Sequence, residues 1–318
     1  MMTGSNPQGN GRIVSADALG VAEAAARLRE GAIVAIPTET VYGLAADASN
    51  AQAVAKIYAA KGRPDFNPLI VHVPDREAAE AIAAFDAQAD LLAKTFWPGP
   101  LTLVLPIRKD AQVAAAVTAG LPTIALRCPA HPVMRAVLLA GGLNVAAPSA
   151  NRSGGISPTR AEHVAASLGE AAPLILDAGP CSAGLESTIV AIRDHGWQIL
   201  RPGPVTEQEV QSVLGKKPLA ASSTTIEAPG QLASHYAPRK PLRLNADMPR
   251  EGEWYIGFGS LAGDDNLSHR ASLAEAAARL FEALHHADAS DRSAIAIAPI
   301  PAEGIGDAIN DRLRRAAA

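Results

Sequence analysis

Ala32-Ile33-Val34-Ala35-Ile36-Pro37-Thr38-Glu39-Thr40-Val41-Tyr42-Gly43-Leu44 changes character at its middle. The first half is a continuous apolar run with no alternation, which reads as a strand buried on both faces. The second half sets two hydroxyls and a carboxylate beside a glycine. A polar loop at the end of a buried strand is where open α/β sheets place their ligand sites. Taken alone, its spacing is better explained by helix or turn capping.

Working outward, the same pattern recurs. Val21 to Arg29 is an Ala-rich helix stopped by Gly31, and Ala51 to Ala60 a second helix. Pro68 to Val73 is another apolar strand. Ala78 to Phe96 reads as one helix, closed by Trp97-Pro98-Gly99-Pro100. Leu101 to Leu105, Thr123 to Arg127, Leu143 to Ala147 and Leu174 to Asp177 read as strands, with a helix over Pro132 to Leu139. Ser187 to Ile192 and Trp197 to Arg201 are placed to pair as neighbours. Helices interleaved with buried strands predict an α/β fold around a largely buried sheet.

The pattern breaks near Lys216. Pro218 to Pro238 is rich in Ser, Thr, Ala, Pro and Gly and has no periodic apolar face, so it reads as a linker. A smaller α/β unit follows: a strand and turn over Trp254 to Gly259, helices over Leu273 to His285 and Ile305 to Ala316, and a strand over Ala294 to Ala298. The expected organisation is a disordered tail at residues 1–12, a main domain at 13–215, a linker at 216–240 and a small domain at 241–318.

The composition excludes several classes. With 318 residues, 48% hydrophobic and 19% charged, the chain is long enough for about two ordinary globular domains. Its formal charge of −4 weighs against bulk binding to nucleic-acid backbones. The two cysteines, Cys128 and Cys181, form no C-x-x-C pair and fit a reducing, cytoplasmic setting. No apolar run reaches the roughly 20 residues of a membrane span, and the N-terminus carries no signal-peptide core. No Walker loop, no G-x-S-x-G elbow and no metal-ligand spacing appears, so no metal site is expected. His285-His286 reads as surface.

Four further polar groupings stand out. Lys61-Gly62-Arg63-Pro64, with Asn67 close behind, puts a point charge and a planar fork two residues apart. Read as extended chain, they project to one side and suit a polyphosphate; a lone K-x-R is more often a solvated loop. Arg127 ends an apolar strand and needs an anion, either a protein carboxylate or a substrate carboxylate. Pro148 to Thr159 is dense in hydroxyls, amides and glycine after a strand, and can present donors to an anion. Gly184 to Ile189 leads into a strand, followed by Arg201-Pro202-Gly203. The linker itself carries His235-Tyr236-Ala237-Pro238, an aromatic pair fit to anchor it on a partner surface.

In this order, these segments resemble the YrdC family in its longer two-domain form, the threonylcarbamoyl-AMP synthases. The resemblance rests on Pro37 to Leu44, Lys61 to Pro64 with Asn67-Pro68-Leu69, Trp97 to Thr102, Arg127-Cys128-Pro129, Ala147 to Asn151, Glu186 to Ile189, Arg201 to Gly203, and Pro229-Gly230 with His235 to Pro238. It covers Gly31 to Pro238, and more loosely Gly304 to Asn310. Asn310-Asp311 stands where Met-Asn is more usual in the family. The resemblance implies a YrdC-like twisted open sheet and a second, Rossmann-like domain. It implies synthesis of threonylcarbamoyl-adenylate and pyrophosphate from L-threonine, bicarbonate and ATP, with Mg²⁺ accompanying the ATP. A transferase complex then uses the product to modify tRNA next to the anticodon; the resemblance leaves open whether this chain touches tRNA itself, weakly if at all.

Carried over by position, the resemblance sets Lys61, Arg63, Asn67, Thr123, Ser149, Asn151, Ser157, Arg201 and Tyr236 around ATP, with Lys61 and Arg63 catalytic. It sets Thr40, His72, Arg127, Ala147 (by its backbone) and Ser187 around threonine. Tyr236 would arrive with the linker acting as a lid, and His72 is the one candidate base. The competing reading is a double-stranded RNA or tRNA-binding module, in which Lys61, Arg63 and Arg201 meet phosphates without turnover. A hydrogenase-maturation type of carbamoyl transfer is disfavoured, since the chain lacks the cysteines for its zinc fingers.

Overall fold

The computed structural model describes residues 11–220, 227–231 and 234–318. The expected tail lies outside these residues except for Gly11 and Arg12, as do parts of the linker.

The chain opens with β1 (Ile13–Ser15) and α1 (Ala18–Arg29), the latter capped by the Asp17 side chain. β2 (Val34–Ile36) is the apolar run, buried at all three residues. A turn follows in which the amides of Thr40 and Val41 donate to Thr38 Oγ1, and β3 (Gly43–Asp47) returns antiparallel. Next come α2 (Ala51–Lys61), β4 (Ile70–His72), α3 (Arg76–Glu80), α4 (Ala87–Phe96), β5 (Leu101–Pro106), α5 (Ala115–Thr118) and β6 (Thr123–Arg127). They are followed by α6 (Pro132–Gly141), β7 (Val145–Ala146), α7 (Ala161–Leu168), β8 (Leu174–Asp177), β9 (Thr188–Arg193), β10 (Gly196–Arg201) and α8 (Glu207–Leu214). These strands form one mixed sheet in the order β1-β8-β2-β3-β7-β4-β6-β5-β9-β10. β9 and β10 pair antiparallel, as their sequence neighbourhood predicts.

Beyond the linker lie β11 (Leu242–Arg243), β12 (Glu253–Gly257), β13 (Asp265–Asn266), α9 (Leu273–Ala289), β14 (Ala294–Ile297) and α10 (Ile305–Ala316). The strands make a separate parallel sheet ordered β11-β14-β12-β13. One apolar core joins the units: Tyr236, Leu185, Ile156 and Val41 share a cluster with α9 and α10.

Three expectations are corrected. The single helix over 78–96 is two helices. Between them the Ala84 amide bonds the Pro106 carbonyl, and Asp86 caps α4, so tertiary pairing overrides the alanine-driven helix propensity. Lys61 is not in extended chain but ends α2, where Gly62, at φ 58, forms the left-handed cap. His285 is not a plain surface residue. Its ring stacks on His163 at 3.8 Å between centroids, and burial pushes it down to about 4. Beside that stack Arg160 pairs with Glu282 at 2.6 Å. Gly184, at φ +67, packs so closely on α9 that a Cβ would lie 2.4 Å from the Ala278 carbonyl.

Candidate active site

The parallel register of β4 and β6 sets His72 beside Arg127, at the ends of two buried strands. Arg127 finds a protein carboxylate: its Nη2 lies 2.6 Å from Glu39 Oε1. Its Nη1 donates to Thr40 Oγ1 at 2.8 Å and its Nε to the Gly99 carbonyl at 3.2 Å. Glu39 also accepts the amides of Ala130 and His131, which lead into α6. Burial pushes the Glu39 carboxyl up, but Arg127, with the backbone amides of Ala130 and of Glu39 itself, outweighs it and holds the group at about 2. The loop after β2 thus makes its turn and also aims the guanidinium. Burial, with the Arg127 charge behind it, takes His72 down to about 3, so the imidazole is neutral at pH 7 in the ligand-free site.

A second group of cations gathers across the pocket. The left-handed cap at Gly62 turns the chain, so that Lys61 and Arg63 both point inward. Lys61 Nζ donates to the carbonyls of Ser149 (2.5 Å) and Asn151. Arg63 donates to the carbonyls of Asn67 (3.3 Å) and Pro68 (2.9 Å). Arg201, ending β10, grips Ser187 through Nε to its carbonyl and Nη2 to its hydroxyl. Lys61, Arg63 and Arg201 are 3%, 8% and 4% exposed, so none belongs to a solvated loop. Burial drives Lys61 well below its usual range, with the Arg63 charge adding to the effect, and takes Arg63 to about 10. Glu186 supplies a counter-charge. Burial opposes its ionisation, yet Arg312 and Arg201 keep the carboxyl below its ordinary value.

These groups line one pocket, whose cavity volume in the ligand-free chain is about 40 Å³. Of the expected residues, Thr40, Arg63, His72, Arg127, Ala147, Ser149, Ser187, Arg201 and Tyr236 line it. Lys61 stands one hydrogen bond behind its wall, on the Ser149 carbonyl, and Asn151 one bond further back, through its own carbonyl on Lys61. Ser157 bonds Glu186. Asn67 is buried with its side-chain amide unpaired among the described residues. Thr123 does not reach the pocket wall: it begins β6, at the opposite end from Arg127 and on the side where Asn67 precedes β4. The linker closes the pocket with Pro229, Gly230, His235 and Tyr236. Tyr236 takes a left-handed backbone at φ 66. The His235 amide donates to the Arg315 carbonyl and the Ala237 amide to the Gly154 carbonyl. The roles of Glu39 and Arg312 were not readable from sequence. A carboxylate beside two threonines looks like a cap, and an arginine near the end of α10 looks like a dipole complement.

The family model described as "Telomere recombination" (Sua5/YciO/YrdC) matches residues 26–203. A second, described as "Threonylcarbamoyl-AMP synthase, C-terminal domain", matches residues 205–318. The chain belongs to the Sua5/YrdC family. Within that family it is 41% identical to the threonylcarbamoyl-AMP synthase of Bacillus subtilis, over 93% of this chain and 92% of that one. It is 39% identical to that of Pyrococcus abyssi, over 92% of both. The crystal structure of P. abyssi Sua5 complexed with L-threonine superposes with a TM-score of 0.88 at 36% identity, covering 96% of this chain and 97% of that one. Escherichia coli YciO, at 20% identity and a TM-score of 0.53, shares the fold of the larger unit. Among the described residues, no helix is long and apolar enough to cross a membrane.

Proposed function

We propose that the chain is a cytoplasmic threonylcarbamoyl-AMP synthase, making threonylcarbamoyl-adenylate and pyrophosphate from L-threonine, bicarbonate and ATP. The observation that carries this reading is the two-sided pocket. Arg127, fixed by Glu39 and Thr40, faces a buried group of Lys61, Arg63 and Arg201. One side suits an amino-acid carboxylate held by a planar fork, the other a polyphosphate. The threonine amine takes up bicarbonate with loss of water to give a carbamate. A carbamate oxygen then attacks the α-phosphorus of ATP, and pyrophosphate leaves with the electron pair of the broken bond. No enzyme nucleophile is required, so positioning and charge stabilisation supply the catalysis.

On this reading Thr40, His72, Arg127, Ala147 and Ser187 form the threonine side. The neutral His72 ring serves there as a hydrogen-bonding group. Lys61, Arg63, Asn67, Ser149, Asn151, Ser157, Arg201 and Tyr236 form the ATP side, with Thr123 further along towards the base. Mg²⁺ travels with the ATP phosphates. Glu39 and Glu186 are already paired with arginines, so the ligands of that ion would come mainly from phosphates and water. Residues 216–240 act as a lid that limits hydrolysis of the labile adenylate. The product passes to a transferase complex that modifies tRNA beside the anticodon, with at most weak tRNA contact by this chain. A catalysis-free RNA-binding role for Lys61, Arg63 and Arg201 is disfavoured by their burial, because a duplex backbone cannot reach them.

The test is pyrophosphate release from ATP by the purified full chain. It should require threonine and bicarbonate together. Equal release with serine, or none with threonine, overturns the assignment.

A further inference from the structure

The least exposed charged side chain among the described residues belongs to the small C-terminal unit, and most of its contacts lie outside it. Arg312, on α10, has no solvent-exposed surface. Its Nε donates to Glu186 Oε2 at 2.8 Å, and its Nη2 donates to the Pro202 carbonyl at 3.0 Å. Both partners lie in the larger unit. Nη1 takes Asp311 at 2.8 Å, and the guanidinium lies 5.2 Å from the centre of the Tyr236 ring. Every face of this cation is therefore used, and three of its contacts are with loops that close the pocket.

What it holds decides its role. The other oxygen of Glu186 accepts the Ser157 hydroxyl. With Arg312 on one oxygen and Ser157 on the other, the Glu186 carboxylate is itself fixed in the pocket wall, with the serine held directly behind it. The same guanidinium backs the ring of Tyr236, and α10 further accepts the linker through the Arg315 carbonyl. Ser187, by contrast, is fixed without Arg312, by Thr102 and Arg201. We infer that Arg312 is a positioning residue for the nucleotide side of the site, acting through Glu186 and Tyr236, so that the C-terminal unit completes the ATP half of the pocket and leaves the threonine half to the larger unit. The division into ATP and threonine halves rests on the function proposed above.

Arg312→Lys keeps a cation beside Glu186 but loses the fork that spans Glu186, Pro202 and Asp311 at once. Arg312→Met removes the charge. Arg160→Gln loosens the same junction at Glu282 without touching Glu186. Binding is read by calorimetry on the full chain, with Mg-ATP and L-threonine titrated separately in bicarbonate-free buffer, where turnover cannot occur. Arg312→Lys should weaken ATP binding about tenfold and threonine binding less than about threefold, while Arg160→Gln leaves both within about twofold. Loss of a tenfold factor corresponds to about 1.4 kcal/mol. Should Arg312→Met fail to fold, Arg312→Lys decides alone. ATP affinity in Arg312→Lys within twofold of wild type overturns the inference. So does an equal loss in Arg160→Gln, which would make Arg312 only one of several junction contacts. Wild-type protein that binds ATP but releases no pyrophosphate sinks the proposed function and leaves this binding test intact.

Discussion

Replacing Glu39 by Gln should cost the protein about 3 kcal/mol at neutral pH and loosen its hold on threonine. The Glu39 carboxyl moves from an ordinary 4.5 to about 2 in the folded chain. At about 1.4 kcal/mol for each pH unit of displacement, that amounts to about 3 kcal/mol of stability. Its side chain is only 12% exposed, so solvent screening removes little of this. An independent guide is the typical cost of breaking a buried ion pair by removing one partner, about 3–5 kcal/mol. The two figures agree. The folded value is depressed, so the stabilisation is complete above about pH 4.5 and is lost as the pH falls through about 2. Urea unfolding of wild type and Glu39→Gln at pH 7 and again near pH 2.5 reads both the size and the sign. The gap should be about 3 kcal/mol at pH 7 and should shrink strongly in acid. Because Arg127 would lose the group that aims it, the KM for threonine should rise about tenfold with a smaller change for ATP. A gap below about 0.5 kcal/mol at pH 7, or one that does not change with pH, would refute the pairing argument.

Three other outcomes follow from the geometry. Lys61→Ala and Arg63→Ala should each remove most pyrophosphate release. Lys61→Ala should also lose about 1–3 kcal/mol of stability, because it strands the carbonyls of Ser149 and Asn151; near-normal rates in both variants would deny the segment its role. Burial, seconded by the Arg63 charge, lowers the Lys61 pKa in the ligand-free site, and the phosphates of ATP should raise it again. ATP binding should then take up protons at any pH where the free lysine is partly deprotonated, and weaken as the pH rises, which calorimetry over a pH series in buffers of different ionisation enthalpy reads directly; no dependence on buffer at any pH would count against it. Gly184→Ala should lower stability by at least about 2 kcal/mol, since it combines a left-handed backbone with a backbone clash on α9, and thermal unfolding will register it. A melting point equal to wild type would mean the two units are not packed as described.

Much of the fold was legible. β2, β4, β6 and β8 are buried on both faces, so each appears as an uninterrupted apolar run. β3 was missed because it begins at Gly43, inside a segment whose hydroxyls and carboxylate look like a cap, and part of that segment does make a turn. α7 and α8 have no counterpart among the elements expected from the sequence, although for α8 Thr206 and Glu209 form a capping box, a signal that was available there. The inward aim of Lys61 was also available: Gly62 just after a helical pattern is a left-handed cap, and such a cap turns the chain.

Periodicity, turn chemistry and capping act over a few residues. They determined the elements, their order, the break near Lys216 and the set of polar residue types from which a polyphosphate and carboxylate site could be built. Charge pairing and burial act through space, and no local pattern encodes them. Whether Arg127 met a protein carboxylate or only a ligand was open until folding brought Glu39 to 2.6 Å from it. Arg312 and Glu186 are 126 positions apart and belong to different units, yet they share one buried ion pair. The tertiary structure alone decided that the cations of the K-x-R segment lie in a sealed wall and that the last helix of the chain reaches back to finish the pocket. Low dielectric, close packing and the need to pair every buried charge operate only once distant segments have met.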